Sequence, residues 1–157
     1  MILFVCTGNI FRSLTAEYAL RRELGPQSTL AVASAGTDDY PHVVRPNVRD
    51  YLREKGLDVS AHRRRTLTRD ILSGAAFVVA MSTDHQRFIR ERFDLQVPLF
   101  LEACGGKCEP LPDIEEVVLD YRTNVAAVDA HVRMTIDTII ESTPRLAREI
   151  QLRRSSR

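Results

Sequence analysis

Apolar and polar positions along this chain alternate between two rhythms. Residues 1–5, Met-Ile-Leu-Phe-Val, form a continuous apolar run, as expected of a parallel strand covered on both faces, and they predict the central strand of a sheet. From Ser13 the spacing turns helical. Ala16, Leu20 and Leu24 share one stripe, Arg21, Arg22 and Glu23 lie outside it, and Gly25-Pro26 stops it. Residues 30–33 predict a second strand, after which Ser34-Ala35-Gly36-Thr37 opens a polar loop through Asp38, Asp39, Tyr40 and Pro41. The pattern next predicts a helix over 46–55 closed by Gly56, a connection over 57–61, and a short helix over 68–73 that begins with Thr68 as its cap.

The second half repeats the theme. Residues 75–81 read as another buried strand, 83–93 as a charged helix, and 97–101 as the last strand. A long loop through Cys104, Gly105, Gly106, Cys108 and Pro112 delivers Asp113. Val125, Val128, Val132, Ile136 and Ile139 then mark a long amphipathic helix, with Pro144 expected to break it or to start a final turn. Residues 153–157 read as a frayed basic tail. Such alternation predicts a three-layer α/β fold: an open parallel sheet of about four strands with helices on both faces, Rossmann-like in arrangement. In such folds ligands collect beyond the carboxyl ends of strands, where Cys6, Ser34 and Met81 are expected.

Composition narrows the picture. A chain of 157 residues with 44% apolar residues buries one core, so residues 1–152 are read as a single domain. With 22 basic against 21 acidic side chains, no net field draws the protein to nucleic acid or to a membrane surface. The partner must therefore be argued from a local site. No segment is long enough to span a membrane, and the apolar start lacks the charged lead of a secretion signal. Three cysteines cannot all pair within one chain, so free thiols in a reducing cytoplasm are expected.

The candidate chemistry lies in Cys6-Thr7-Gly8-Asn9-Ile10-Phe11-Arg12-Ser13, placed between a buried strand and a helix start. Amides of a tight turn there point inward, and the helix adds its positive end, so a dianionic phosphate meets many fixed donors. Gly8 and Asn9 suit the positive backbone dihedrals this requires. Arg12 adds a planar, two-pronged donor that a lysine could not replace. Thiolates rather than thiols are nucleophiles, and such surroundings favour them, so Cys6 needs no histidine base. Ser13 can donate its hydroxyl to that sulfur.

The run Val5-Cys6-Thr7-Gly8-Asn9-Ile10-Phe11-Arg12-Ser13 resembles the signature of the low-molecular-weight protein tyrosine phosphatases. The likeness continues through Ser34-Ala35-Gly36-Thr37, through residues 56–62 with Leu67-Thr68, and through residues 78–84. The resemblance implies a phosphotyrosine phosphatase I-like doubly wound sheet, a phosphocysteine intermediate, no metal or other cofactor, and a late acidic residue. Asp113, after Pro110-Leu111-Pro112, stands where the family carries its general acid, with a capping aspartate for the following helix as the lesser alternative. Thr7, Gly8, Asn9, Ile10, Phe11 and Arg12 are implied as the phosphate loop. Asn9, Ser34 and His62 are implied as polar support that holds the loop in shape, and Tyr40 as one wall for an aromatic ring. The expected substrate is a phosphorylated protein or small phosphomonoester, taken by a monomer or weak dimer.

Departures from the family pattern are equally specific. Ile114, Glu115 and Glu116 follow the acid where the family usually has proline and an aromatic residue, which removes one wall and adds charges that repel an anion unless they turn away. Phe11 replaces a frequent cysteine, so no protective disulfide with Cys6 is available there. His42, His85 and His131 show no ligand spacing and are assigned to surface or packing. Cys104 and Cys108 are read as free loop thiols, because no second ligand pair accompanies them. Arg63, Arg64 and Arg65 read as a solvated basic turn that could otherwise attract an acidic partner. Three alternatives stay open: a thiol-coupled arsenate reductase, a protein-arginine phosphatase, and a catalytically weak phosphate-binding module.

Overall fold

The computed structural model describes residues 1–155. Its elements run β1 (Ile2–Cys6), α1 (Arg12–Leu24), β2 (Val32–Gly36), α2 (Pro46–Glu54), α3 (Arg69–Ser73), β3 (Phe77–Ala80), α4 (Thr83–Phe93), α5 (Phe100–Ala103), α6 (Ile114–Val117) and α7 (Val125–Ser155). Strands pair in parallel in the order β2-β1-β3, with Cys6 opposite Gly36 and Val5 opposite Ala80. The central place of β1 follows from its apolar run. Ile2, Phe4 and Cys6 turn to a core built with α1, α5 and α7, while Leu3 and Val5 turn to one built with α3 and α4. Period-two alternation thus buries both faces of the strand and puts Cys6 on the α1 side.

Among the described residues the sheet has three strands, not the expected four. At 97–101 only Leu99 forms a parallel bridge, to Ala80, and α5 begins at Phe100. The reason is that Pro98, whose carbonyl accepts from Ala80 N at 2.9 Å, has no N–H to extend the ladder backward, while α5 begins at Phe100, with the Leu99 amide capped by Glu102 Oε2 at 3.1 Å, and ends it forward.

Strand β2 lies two residues later at its start than its apolar pattern predicts, so Ser34, Ala35 and Gly36 are strand rather than loop. Ser34 therefore sits mid-strand, opposite Phe4, beneath the Cys6 loop. Small residues are required there: a Cβ at Gly36 would stand 2.5 Å from the Thr7 carbonyl oxygen.

Helix α7 continues through Pro144 to Ser155. Ile139, before the proline, and Leu146, Ala147 and Ile150, after it, enter the same core, so packing on both sides offsets the lost amide donor. The expected tail is thus helical as far as Ser155, while 156–157 lie outside the described residues. No helix among the described residues is long and apolar enough to cross a membrane.

Candidate active site

The loop between β1 and α1 is held from behind by its carbonyls. Cys6 O accepts from Thr37 N (2.9 Å), Thr7 O from Asp38 N (3.1 Å), Gly8 O from Arg64 Nε (3.2 Å) and Asn9 O from His62 Nε2 (2.8 Å). None of these peptide bonds is cis. In a planar trans peptide the N–H opposes its carbonyl, so the amides of Thr7, Gly8, Asn9 and Ile10 point away from the groups that hold those carbonyls. A cavity of about 210 Å³ is lined by Cys6 and Arg12 together with Thr7, Gly8, Ile10 and Phe11 from the loop. Helix α1 enters at Phe11 with neither a capping side chain nor an acidic residue in its first turn, so its positive end is left for an anion.

Asn9 is the keystone of the loop. Its φ of 56° lies in the left-handed region, where an asparagine is tolerated. Its side-chain amide donates to Ser13 Oγ (3.1 Å) and Ser34 Oγ (2.7 Å), and its Oδ1 accepts from Arg65 N (3.0 Å). Ser34 passes its own hydrogen to the buried carboxylate of Glu17, which is paired with Arg21 at 2.5 Å. Because Ser13 Oγ already accepts from Asn9, its hydrogen is free for Cys6 Sγ, 2.9 Å away. His62 is held below its ordinary pKa, chiefly by burial, and its Nε2–H supports the Asn9 carbonyl.

Across the cavity, Asp113 caps α6: its Oδ1 accepts from Ile114 N (2.8 Å), and Glu116 Oε2 accepts from Asp113 N (3.0 Å). Its other oxygen, Oδ2, lies 2.6 Å from Arg12 Nη2, while Arg12 Nη1 donates to Leu111 O at 2.8 Å. Asp113 therefore both caps α6 and lines the cavity. Arg12 is only 2% exposed, and burial with two fixed acceptors locks its fork in one plane. Glu116 is turned away into the cap, whereas Glu115 lines the cavity.

Tyr40 does not form the expected wall. It is 64% exposed, outside the lining residues, and its ring packs 5.0 Å from that of His42. His42 takes the wall position, anchored by donating from Nε2 to Asp38 Oδ2 at 2.9 Å. Hydrogen bonds from Tyr40 N first, and from His42 second, hold the Asp38 carboxyl below its usual pKa.

Residues assigned to surface or packing also enter the site. Arg64 ties Gly8 O to the Asp38 carbonyl, so part of the basic run is a clamp rather than a solvated turn. His85 is buried, with Nε2 2.9 Å from Thr7 Oγ1. The spacing of Ser82 and His85, three residues apart at a helix start, was the available signal. Glu17 could have been sought one helical turn beyond Ser13. His131 Nε2 lies 3.2 Å from the carbonyl oxygen of Pro112, the residue before Asp113. Cys104 is buried and Cys108 is exposed, and neither lines the cavity. Among the described residues no cluster of three or more His, Cys, Asp or Glu is placed to hold a metal ion.

Residues 1–152 match the family described as low molecular weight phosphotyrosine protein phosphatase. A probable low molecular weight protein-tyrosine-phosphatase, EpsP, of Ralstonia solanacearum is 32% identical over 147 residues, covering 92% of this chain and 94% of that protein. An arsenate reductase of Bacillus licheniformis is 36% identical over 83 residues, 53% of this chain and 57% of that one. The solved YwlE arginine phosphatase from Geobacillus stearothermophilus superposes with a TM-score of 0.79 at 26% identity, covering 99% of this chain and 95% of that one. A loop that holds thiol and guanidinium in one cavity, on this parallel sheet and with this full-length match, places the chain in the low molecular weight phosphotyrosine protein phosphatase family, as a hydrolase.

Proposed function

We propose that the protein hydrolyses phosphotyrosine in proteins through a phosphocysteine on Cys6. One observation carries this reading: Cys6 and Arg12 line the same cavity, with the Ser13 hydroxyl 2.9 Å from the sulfur and Asp113 on the facing side. The sulfur attacks phosphorus in line while the inward amides and Arg12 hold the equatorial oxygens. The ester displaces Asp113 from Arg12, the bond from phosphorus to the ester oxygen breaks, and Asp113, having taken up a proton from solvent on losing its ion pair, gives that proton to the oxygen. A water then attacks the phosphocysteine, Asp113 takes the water's proton, and the P–S bond breaks with Ser13 donating to the departing thiolate. Ile10, apolar at the cavity wall, suits an aromatic leaving group.

A second substrate, phosphoarginine, draws support from Asp38 and Glu115, whose carboxylates join Asp113 around the cavity and suit a guanidinium leaving group. Arsenate reduction fits less well, because it needs a relay thiol. Burial pushes the Cys104 thiol up to about 12, and Cys108 stands apart beside Glu102. A working thiol at Cys6 suits a reducing cytoplasm, and a site built from one chain's residues suits a monomer or weak dimer.

The test is steady-state turnover of p-nitrophenyl phosphate, a phosphotyrosyl peptide and a phosphoarginyl peptide, with Cys6→Ser as control. The expected order places the phosphotyrosyl peptide first and gives no turnover in the variant. Preference for the phosphoarginyl peptide selects the second substrate, and an active Cys6→Ser protein removes the phosphocysteine route.

A further inference from the structure

His85 has no part in the mechanism above, yet it is 3% exposed and joined to the phosphate loop across 78 residues of sequence. It occupies the third position of α4, with its ring turned back over the helix start. Two donors meet its Nδ1: the Ser82 amide at 3.0 Å and the Ser82 hydroxyl at 2.9 Å. An amide N–H can only donate, so Nδ1 must accept, and the neutral ring carries its hydrogen on Nε2.

That assignment determines the next bond. Nε2–H donates to Thr7 Oγ1, 2.9 Å away, and so Thr7 cannot spend its own hydrogen on the imidazole. Thr7 lines the cavity beside Cys6 and Arg12. Burial first, and the Arg12 charge second, hold the imidazole neutral, with its pKa lowered to about 3 against an opposing pull from Asp113. The polarity of the Ser82-His85-Thr7 chain is therefore constant across the working pH range.

We infer that His85 is a positioning residue that holds the Thr7 hydroxyl as a hydrogen-bond donor to a phosphoryl oxygen in the cavity. This rests on the phosphate-ester reading of the site, and adds one side-chain donor to its backbone amides. A competing role is purely structural: His85 caps α4 through Nδ1 and nothing more.

Two conservative variants separate these roles. In His85→Asn the side-chain oxygen takes the place of Nδ1 and keeps the cap, but the bond to Thr7 is lost. In His85→Gln the amide nitrogen takes the place of Nε2–H and keeps the bond to Thr7, while the cap is lost. Binding of inorganic phosphate is measured by calorimetry, turnover of p-nitrophenyl phosphate by steady-state kinetics, and Tm by thermal unfolding, all on the full chain. Thr7→Val and His85→Asn are each expected to weaken phosphate binding and lower kcat/KM about ten-fold, the effect of one hydrogen bond to a charged group. Thr7→Ser and His85→Gln recover most of that loss, although His85→Gln has the lower Tm. The double variant Thr7→Val/His85→Asn binds phosphate no more weakly than Thr7→Val alone.

Wild-type phosphate affinity in either Thr7→Val or His85→Asn overturns the inference, as do losses that multiply in the double variant, or a His85→Gln protein weaker than His85→Asn. Phosphate binding that follows the expected pattern in a protein without turnover would sink the phosphatase reading while leaving His85 its role.

Discussion

Arg12 and Asp113 meet at 2.6 Å, guanidinium Nη2 to carboxylate Oδ2, across 101 residues of sequence. Two charged groups from distant segments are thus each other's partners in one cavity. An anion entering the cavity must compete with Asp113 for Arg12.

Asparagine is as good a helix cap as aspartate, so Asp113→Asn should keep α6 and its Tm while losing the proton donor. We expect kcat on p-nitrophenyl phosphate to fall about 10² to 10⁴-fold, the usual range for general acid catalysis. Inorganic phosphate should bind more tightly, because Arg12 loses a charged competitor. Weaker phosphate binding in Asp113→Asn would show that the pair organises Arg12 rather than restrains it.

Ser13→Ala removes the only side-chain hydrogen bond recorded to the Cys6 sulfur among the described residues. Breakdown of phosphocysteine should slow about ten-fold, since one bond to a charged group is lost. Rapid mixing with p-nitrophenyl phosphate should then give a burst of nitrophenol followed by a slower steady rate. A uniform slowing without any burst points to the attack step instead.

Asn9→Ala loses the bonds to Ser13, Ser34 and the Arg65 amide and leaves a Cβ at a φ of 56°. Urea unfolding should register a loss of about 3 kcal/mol, from three hydrogen bonds and a left-handed alanine. Asn9→Gly should recover about 1 kcal/mol of it, because glycine bears the conformation without penalty. Equal stability of the two variants would mean that strain at this position is negligible.

His85 sets an acid limit on stability. Its folded pKa of about 3 lies below the ordinary 6.5, so between those values the unfolded chain binds a proton that the folded one refuses. Stability must therefore be complete above about pH 6.5 and fall as the pH drops toward 3, with a slope of at most about 1.4 kcal/mol per pH unit from this group. His62, also lowered by burial, acts in the same direction. Urea unfolding at pH 7, 6, 5 and 4 should show a slope about one proton shallower in His85→Gln; identical slopes would show that His85 takes up its proton in the folded state.

Glu115→Gln removes a carboxylate from the cavity lining while leaving the Asp113 cap, which uses Glu116, in place. For an acidic phosphotyrosyl peptide kcat/KM should rise roughly two- to five-fold, in proportion to about 0.5–1 kcal/mol of relieved repulsion at an exposed site. The phosphoarginyl peptide should move the opposite way. A rise for both peptides would reduce the role of Glu115 to general repulsion of the phosphate.

Much of the site could be read directly because its parts are close along the chain. Cys6, Arg12 and Ser13 lie within one loop, and the flanking apolar run and helical stripe show where that loop sits. The place of Asp113 in the cavity was legible only through the resemblance to a family, since nothing local aims it at Arg12. Arg64 was misread, and the bond of the buried His85 to Thr7 went unforeseen, for the same reason: a run of arginines and a lone histidine have no visible partner until the chain is folded. The strand expected over 97–101 failed differently. Its apolar pattern is sound, but Pro98 lacks a donor to extend the ladder and the chain turns into α5 at Phe100.

Local order along the chain was enough to establish the alternation of strands and helices, the buried central strand and the loop from it to α1, because hydrophobic period and turn chemistry act over a few residues. Folding alone decided which polar groups meet. Asn9 reaches Ser34, Thr7 reaches His85, and Arg12 reaches Asp113 because β2, β1 and β3 lie side by side in one register and the loops above them converge. Such encounters depend on the positions of segments 25 to 101 residues apart, and no pattern confined to a short window carries that information.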